Sequence, residues 1–421
     1  MAFGVSADVS AARALRQPRA ARVCRAPRRR HARPSAPAGC AMVSEVQRAP
    51  EVVSASNAAE LAAETHPPFR ARVGIVLMNI GTPASTSVSD VREYLRQFLG
   101  DPRVVDINPV LKYFLLNFVV LPFRPRKSAE AYASIWDPER GSPLLFHSED
   151  LAEKLRNHLG EKYSIMLGMQ FGEPSVYTAL KTFRQTGVDR IVVVPMFPQY
   201  ASSTTGSAVE IVYREAAKLY STPYLHVCPA FFDHPRYISS YASIIGRVIG
   251  PRAANVDHLL MSFHGVPGSH CTGTDETGAY CQKVPNCCAQ LVQANRNCYR
   301  AQCFASARRI AAALDLPAEK YSVAFQSRLD AAGPKWIEPY TDMRIKQLAK
   351  DGVKKLAVVV PSFTADCLET LEEIGEEGKE FFLENGGEEY TLIPCLNSDD
   401  EWAEALIEIV KDSCPLDTWD L

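Results

Sequence analysis

Short apolar runs rich in Val, Ile and Leu alternate along the chain with segments whose apolar residues recur at helical spacing. Helical spacing is typical of residues 148–159 and 341–350, among others. The strand-like runs are bounded by Gly or Pro and occupy residues 73–80, 163–169, 191–194, 258–263, 321–325 and 356–360. Because strands that alternate with helices build βαβ units, the pattern predicts parallel sheets with helices on both faces.

Three short motifs recur in the same order, about 160 to 185 residues apart. LMNIGTP at 77–83 is echoed by LMSFHGVP at 260–267, EKYSI at 161–165 by EKYSV at 319–323, and VVVPMF at 192–197 by VVVPSF at 358–363. The repeat predicts two similar α/β lobes, at residues 71–225 and 226–395. Residues 396–421 form a C-terminal helix and tail, and we expect the helix at 399–412 to pack back across the lobes.

The repeat also predicts where a ligand binds. In open parallel sheets, ligands lie outside the carboxyl ends of the strands. Four loops fall there, at residues 79–83, 195–206, 264–267 and 361–369. We therefore expect a cleft between the lobes that these loops line.

Composition narrows the class of protein. Of the 421 residues, 47% are hydrophobic and 22% are charged, which is typical of a globular protein with length for two domains. The formal net charge of −2 argues against nucleic acid as a partner. No uncharged apolar run approaches the ~18 residues that a transmembrane helix requires.

The N-terminal segment differs from the rest of the chain. Residues 1–40 contain nine arginines, eleven alanines and a single acid, Asp8, and lack the apolar block of a secretory signal. We interpret residues 1–70 as a disordered organelle transit peptide with a polar linker at 54–68; a disordered basic arm is the alternative. A plastid is favoured as destination and a mitochondrion is the alternative, with the mature protein stromal, in the matrix or peripheral to a membrane.

An acidic segment follows the strand at 356–360. If a helix starts near Asp366, then Asp366, Glu369 and Glu373 lie at i, i+3 and i+7 on one face. Such a row of carboxylates can bind a hard cation, relay protons or raise a neighbour's pKa. The alternative is structural, because Asp366 followed by Glu369 also resembles a capping box.

His264 ends the first strand of the second lobe, within SFHGVP. An imidazole at this place can act as a base or a metal ligand near neutral pH. A lone histidine there is also compatible with a structural role. Its counterpart in the first lobe is Gly81, which argues against a purely structural need for histidine.

Six motifs together carry a resemblance to a known family. They are VLMNIGTP at 76–83, GSPLLFHSE at 141–149, FPQYASSTTGS at 197–207, SFHGVP at 262–267, FQSR at 325–328 and PSFTADCLETLEEI at 361–374. In this order they resemble the ferrochelatases, particularly the bacterial, proteobacterial-like branch, over residues 72–412. The resemblance implies two Rossmann-like lobes around a porphyrin cleft. It implies insertion of Fe²⁺ into protoporphyrin IX to form protohaem with release of two protons, the terminal step of haem biosynthesis.

The resemblance also assigns residues. His264 matches the cleft histidine of the family and Glu369 its principal carboxylate, so both are implied to handle protons and to meet the substrate iron. Asp366 and Glu373 match further members of the acidic row. Some family members carry histidine where this chain has Cys367, which puts a ligand role for position 367 in doubt. Positions matching the porphyrin-lining residues are Asn79, Tyr132, Ser142, Phe197, Tyr200 and Ser203; for Tyr132 and Phe197 a role as core aromatics stays open.

Residues 107–127 read INPVLKYFLLNFVVLPFRPRK. Apolar residues at i, i+3 and i+4 spacing predict an amphipathic helix that is too short to span a bilayer but suited to lie on one. A buried helix is the alternative. The resemblance implies a membrane-facing lip over the cleft, and the basic trio Arg124, Arg126 and Lys127 could also meet the porphyrin propionates.

Residues 270–304 form an insert with six of the twelve cysteines. Four thiolates can hold a [2Fe–2S] cluster or a structural zinc, although the spacing matches neither usual ferredoxin run. Some microbial ferrochelatases carry such a segment with a [2Fe–2S] cluster, so the resemblance favours the cluster over zinc, disulfides or free thiols. The favoured ligands are four of Cys281, Cys287, Cys288, Cys298 and Cys303.

Two rival functions remain at this stage. One is a related enzyme that inserts cobalt or uses coproporphyrin. Residues alone do not distinguish it from an enzyme that inserts Fe²⁺ into protoporphyrin IX. The other is a tetrapyrrole or metal carrier without catalysis. Each of these functions is compatible with a homodimer.

Overall fold

The computed structural model describes residues 72–328 and 335–414. The transit peptide and linker expected at residues 1–70 lie outside the described residues, as does the tail 415–421. The described residues cluster as a single compact unit.

The first lobe is built on a four-stranded parallel sheet. Its central strand carries Val, Ile, Leu and Met, and nearly all of its side chains are buried because helices cover both faces. The order is β2-β1-β3-β4, with β1 Val73–Gly81, β2 Tyr163–Phe171, β3 Arg190–Pro195 and β4 Tyr224–Val227.

The second lobe repeats this topology. Its order is β6-β5-β7-β8, with β5 His258–His264, β6 Tyr321–Gln326, β7 Lys355–Val359 and β8 Glu389–Leu392. Each sheet places its first strand second and sends its last to the edge, so β1 and β5 occupy equivalent positions. The predicted pair of similar parallel α/β lobes is confirmed.

All six predicted strands are present, with bounds that differ by one or two residues at some ends. The two strands that were not predicted, β4 and β8, are four-residue edge strands. Their side chains stay exposed or partly exposed along the whole strand, so no continuous apolar run marks them, whereas the edge strands β2 and β6 are largely buried. Strand β4 spans position 225, where the sequence interpretation divided the lobes.

Helices surround both sheets. Those of the first lobe are α1 Val88–Gly100, α2 Pro109–Phe114, α3 Leu121–Ile135, α4 Pro143–Leu159, α5 Val176–Gln185 and α6 Ser207–Ala217, with π-helices Leu115–Val120 and Ser202–Gly206. Those of the second are α7 Pro235–Ile249, α8 Gly268–Thr272, α9 Tyr299–Ala313, α10 Thr341–Lys350, α11 Gly378–Glu384 and α12 Asp400–Ser413, with the π-helix Glu369–Glu377 and 3-10 turns Pro251–Ala253, Gln293–Asn295 and Ala318–Lys320.

Local signals explain several helix starts. The Ser87 side chain accepts from the backbone of Asp90, and Asn108 caps α2 ahead of Pro109. A polar side-chain acceptor satisfies an N–H that the helix cannot pair, and proline at the first position has no N–H to satisfy. The predicted helix 341–350 is confirmed, and the one expected at 148–159 starts earlier, at Pro143.

The last helix joins the two lobes. Trp402 on α12 is fully buried and contacts the rings of Phe231 and Tyr237, with centroids 6.1 and 6.4 Å away. At the start of α12, Asp400 pairs with Lys154 of α4 at 2.5 Å. The expected packing of the last helix across the lobes is confirmed, and the inner faces of both sheets share one apolar core.

Candidate active site

Loops that follow β3 and β7 meet between the lobes. The Thr364 hydroxyl donates to the Met196 carbonyl at 3.2 Å, which ties the second lobe to the first. The hydroxyl of Tyr237 on α7 donates to the Pro361 carbonyl at 2.5 Å. Helix α7 therefore holds the loop that leads into the acidic segment.

His264 is fixed through its backbone and its ring. Its N–H donates to Ser362 Oγ at 3.0 Å, and its carbonyl accepts from the Tyr299 hydroxyl at 2.8 Å. Ring Nδ1 lies 2.6 Å from the Gly265 carbonyl. Because a carbonyl only accepts, Nδ1 carries the proton, and in the neutral ring Nε2 keeps the lone pair. That nitrogen can take a proton or bind a metal.

The acidic segment forms a π-helix that begins at Glu369, not a helix that begins near Asp366. The Thr370 side chain explains the later start: its hydroxyl accepts from Cys367 N–H at 3.0 Å and donates back to the Asp366 carboxylate at 3.0 Å. Leu368 is the N-cap, so Asp366 lies outside the helix and the expected spacing of i, i+3 and i+7 within one helix is wrong. In a π-helix the hydrogen bonds run from i to i+5, which places Glu369 and Glu373 close to one face.

Asp366 is buried and saturated with donors. Its carboxylate accepts from Asn397 Nδ2 at 2.7 Å, from the Thr370 hydroxyl and from the Cys395 backbone N–H at 3.3 Å. The Asp366 N–H donates in return to Asn397 Oδ1 at 2.8 Å. A carboxylate with this many internal donors anchors the loop before the π-helix.

Glu369 is linked to the strand next to His264 and lies near two tyrosines of the first lobe. The Gln326 side chain, on the strand residue paired with His264, donates to the Glu369 carbonyl at 2.7 Å. Burial raises the pKa of Tyr132 well above its usual value, and the charges of Tyr94 and Glu369 add to this effect. Burial followed by the Glu369 charge raises the pKa of Tyr94 too. Both tyrosines therefore stay protonated next to that carboxylate.

Glu373 lies four residues after Glu369 in the same π-helix. The Ser327 N–H donates to one carboxylate oxygen at 2.7 Å and the Ser327 hydroxyl to the other. Burial raises the pKa of Glu373, and the charge of Glu369 adds to this, while the bonds from Ser327 and the charge of His264 oppose it. A cavity of about 190 Å³ adjoins Glu373 and Glu377, so this carboxyl has space for water beside it.

Three predicted substrate residues of the first lobe are buried. Asn79 accepts from the Ile80 N–H at 2.8 Å, and Ser142 accepts from the Thr82 hydroxyl at 2.8 Å. The ring of Tyr132 packs edge-on against Tyr94 at 6.3 Å. The structure brings Tyr132 near Glu369, whereas the polar atoms of Asn79 and Ser142 are engaged within their own lobe.

The other three predicted residues follow β3. Phe197 packs in the core of the first lobe, as its alternative interpretation states. Tyr200 and Ser203 are half-buried, and the Tyr200 N–H donates to Gln302 Oε1 of α9 at 2.7 Å. This loop is therefore held from the second lobe.

Several residues near the site were not predicted. The His264 ring lies between Phe363, at 6.1 Å, and Trp336, at 6.4 Å. Ser327 belongs to the FQSR motif, but only its contact with Glu373 gives it a role. Its backbone has a φ of 61°, a strained value for a residue with a side chain, and such values cluster at functional sites.

A family model described as Ferrochelatase matches residues 72–414. The chain belongs to the ferrochelatase family. The match covers both lobes, the acidic π-helix and the cysteine insert.

Curated relatives support the membership. A ferrochelatase of Coxiella burnetii is 44% identical over 345 residues, covering 82% of this chain and 95% of the relative. One of Bdellovibrio bacteriovorus is 43% identical over 338 residues, covering 80% and 98%. Among solved structures, SirB from Bacillus subtilis with Fe3+ aligns over 83% of this chain and 98% of its own, at 12% identity and a TM-score of 0.45.

In this ferrochelatase the segment 109–135 is one continuous helical stretch with a π-helical middle. Its periodic apolar residues point to solvent, so the alternative of a buried helix is wrong. The buried residues of the stretch are Leu116, Leu121, Pro125, Ala129 and Tyr132, and four of them pack in a core cluster of the first lobe. The exposed side chains, which we call the apolar lip, are Val110, Leu111, Tyr113, Phe114, Leu115, Phe118, Val119 and Phe123.

All six cysteines of the insert are buried and reduced. The thiol of Cys298 lies within hydrogen-bonding reach of those of Cys271, Cys281 and Cys288. The sulfurs of Cys287 and Cys288 are 3.8 Å apart, and Arg300 donates to Cys288 Sγ at 3.2 Å. In the part of the chain that the structure describes, no three His, Cys, Asp or Glu side chains converge on a single metal ion.

Proposed function

We propose that this protein inserts Fe²⁺ into protoporphyrin IX, releasing two protons and forming protohaem, the terminal step of haem biosynthesis. Family membership over residues 72–414 supports the reaction. The observation that carries the proposal is the His264 ring, whose Nδ1 is committed to a carbonyl and whose Nε2 keeps its lone pair near Glu373. Tetrapyrrole binding alone needs no such proton-handling group.

His264 is the first proton acceptor in this mechanism. Metal insertion requires both pyrrole N–H protons to leave the ring, and Nε2 of the neutral imidazole can accept one in the apolar pocket between Phe363 and Trp336. The backbone bonds from Ser362 and Tyr299 hold the imidazole in place. Holding the base in place reduces the entropy that the reaction must lose.

The glutamates then move protons and meet the iron. Because its pKa is raised, Glu373 retains a proton at a higher pH than an exposed glutamate does, which suits it to receive one from His264. Glu369, on the same face and nearer the first lobe, is placed to bind the incoming Fe²⁺ through a hard oxygen ligand. Asp366 anchors the loop in this scheme and does not contact the substrate.

Anaerobic insertion of Fe²⁺ into protoporphyrin IX tests the proposal. We expect His264→Ala and Glu369→Gln to lower kcat by a factor of about 10² to 10⁴, the usual contribution of a general base or a preorganised charge. Fluorescence quenching of the porphyrin supplies the control, because both variants should still bind it. Wild-type insertion at background rate with intact porphyrin binding would instead identify a carrier.

We further propose that the cysteine insert holds a [2Fe–2S] cluster. A sulfur–sulfur distance of 3.8 Å is what two thiolates show on one tetrahedral metal at ~2.3 Å. A cluster spreads its four ligands as two pairs, so it does not require three side chains to converge on one ion. When bound, such a cluster supplies one-electron chemistry. Cys271 joins the candidate ligands Cys281, Cys287, Cys288 and Cys298 because it contacts Cys298, whereas Cys303 lies beside Tyr299.

Anaerobic purification tests the cluster. We expect visible thiolate–iron absorption with close to two irons and two sulfides per chain, lost in Cys298→Ala and retained in Cys414→Ala, which removes a buried thiol outside the insert. Since burial raises the pKa of thiols such as Cys281, reconstitution should also release protons. An active protein that purifies colourless and iron-free would contradict the cluster.

We also propose that the apolar lip contacts a membrane. Its exposed residues lie next to Arg124, Arg126 and Lys127, which suits a surface with anionic head groups. Within residues 72–328 and 335–414, every helix is too short or too polar to cross a bilayer. The proposed contact is therefore peripheral.

We propose import into a plastid, with a mitochondrion as the alternative. The Arg- and Ala-rich composition of residues 1–40 and a family match that begins at residue 72 support a cleaved leader. Incubation of the full chain with isolated plastids and with mitochondria should yield a shortened, protease-protected product in only one of them.

A further inference from the structure

Helix α9 begins at the cysteine insert and immediately reaches the catalytic histidine. Cys298 is its N-cap, and Tyr299 is its first residue. The buried hydroxyl of Tyr299 donates to the His264 carbonyl at 2.8 Å. A single hydrogen bond, from Tyr299, therefore connects the end of the cysteine insert to His264.

The His264 backbone depends on this contact. Its N–H is bound by Ser362 Oγ at 3.0 Å and its carbonyl by Tyr299, so the peptide groups on both sides of the imidazole are held. The Tyr299 hydroxyl also lies within hydrogen-bonding reach of Ser362 and Cys303. Burial raises the pKa of Tyr299 well above its ordinary value, so the hydroxyl remains a donor.

The next turn of α9 extends the connection. Cys303 lies four residues after Tyr299 and is fully buried. Gln302 accepts from the Tyr200 N–H at 2.7 Å and donates to the Arg296 carbonyl at 2.8 Å. A shift of this turn would therefore displace the loop that contains Tyr200 in the first lobe as well as His264.

We propose that Tyr299 is a positioning residue for His264, and that through it the bonding state of Cys298 and Cys303 sets the geometry of the iron-insertion site. The proposal rests on the proposed function for the role of His264. A sulfur that gains or loses a bond must move relative to its neighbours, and Tyr299 stands between two such sulfurs. Misplacing a catalytic group by a fraction of an ångström lowers the rate without weakening substrate binding.

Kinetics of Tyr299→Phe test the positioning role. The change removes one hydroxyl and keeps the ring, and we expect kcat to fall roughly tenfold while KM for porphyrin and for Fe²⁺ stays within about twofold. Tyr390→Phe is the matched control, because Tyr390 is a buried tyrosine that donates to the Ile374 carbonyl at 2.6 Å away from His264. Equal losses of kcat in the two variants, or none in Tyr299→Phe, would overturn the proposal.

Hydrogen exchange of the metal-free protein tests the link to the thiols without any turnover. We expect the amides of His264 and Gly265 to exchange roughly tenfold faster in Tyr299→Phe and in Cys303→Ala, because the peptide group between them loses the bond to its carbonyl and opens more often. Cys228→Ala, which removes a buried thiol outside the insert, should leave them unchanged.

The outcomes separate cleanly. Faster exchange in Tyr299→Phe but not in Cys303→Ala would refute the link to the thiols, and unchanged exchange in both would refute positioning altogether. Because neither iron nor porphyrin is present, these results hold even if the wild-type protein proves inactive in iron insertion. Failure of the proposed function is thus distinguishable from failure of this inference.

Discussion

Among the residues of the acidic π-helix, Glu372 has the clearest titration behaviour. Burial, followed by the charges of Glu377, Glu373 and Glu376, raises the pKa of Glu372 to about 7. When the pKa of a carboxyl is raised in the folded state, ionising that carboxyl destabilises the fold. The loss of folding stability appears as pH rises from 4.5 through about 7. Below that window both states are protonated and the cost disappears.

We therefore predict that Glu372→Gln raises the melting temperature by about 1–2 °C at pH 8 and leaves it unchanged at pH 4.5. Thermal unfolding at the two pH values measures the difference. Glu380→Gln, at an exposed position on α11, serves as the control. An equal shift at both pH values would mean that charge repulsion on the π-helix is not the cause.

The residues proposed for the chemistry were accessible from the sequence, but the residues that hold them in place were not. His264 and Glu369 stand in motifs at strand ends, so the fold rule and the family resemblance both point to them. Tyr299 and Ser327 act through single contacts with residues 35 and 46 positions away. Spacing along the chain carries no signal for contacts of that kind.

At the scale of elements, the apolar lip is a continuous set of exposed apolar side chains on the first lobe. Phe118 is 63% exposed and Phe123 is 76% exposed. Burying one such side chain in a bilayer interface contributes about 1.5–3 kcal/mol. An aspartate at either position would lose this energy and add a charge that anionic head groups repel.

We predict that the double variant Phe118→Asp, Phe123→Asp binds anionic vesicles at least about tenfold more weakly than the wild type in a sedimentation assay. Tyr220→Asp, which changes a fully exposed aromatic residue outside the lip, should bind normally. Wild-type binding by the double variant would contradict membrane contact. A change of oligomeric state instead of vesicle binding would assign the lip to a second copy of the chain.

The acidic π-helix shows why element boundaries are hard to predict. A sequence of Asp366 followed by Glu369 suggests a cap at Asp366, yet the N-cap is Leu368, and the Thr370 side chain binds the Cys367 N–H and the Asp366 carboxylate ahead of it. Asn397, 31 residues away, then holds the Asp366 carboxylate outside the helix. The local pattern was compatible with both starts, and a tertiary contact decided between them.

At the scale of the whole molecule, α12 contacts both lobes and packs in the core that they share. Trp402 fills the junction, and its indole Nε1 has no hydrogen-bond partner among the described residues. Replacing it with alanine should cost about 3–5 kcal/mol through the cavity left behind. Phenylalanine should cost much less, since little volume and no hydrogen bond are lost.

We predict from this that Trp402→Ala lowers the urea midpoint strongly, that Trp402→Phe lowers it only slightly, and that the wild type unfolds in one transition. Urea denaturation followed by far-UV circular dichroism provides the measurement. Two separate wild-type transitions would show that the lobes unfold independently.

The duplicated architecture was predictable because central strands are buried on both sides and read as apolar runs. The three repeated motifs lie on or next to β1, β2 and β3 and their counterparts β5, β6 and β7. Strands β4 and β8 were missed because each has only four residues and stays partly exposed, so no apolar run marks it. The repeat therefore predicts three strands of each sheet and does not predict the fourth, β4 or β8.

Gly81 and His264 end equivalent strands, and the first lobe could not have carried the imidazole. The φ of Gly81 is +101°, and a Cβ there would lie 1.7 Å from the Phe171 carbonyl oxygen. Only one half of the duplicated molecule can bear a side chain at this level. A flat ring held between the halves would meet reactive groups on one face and a passive wall on the other. On the proposed function, metal and protons would then exchange through a single side of the substrate.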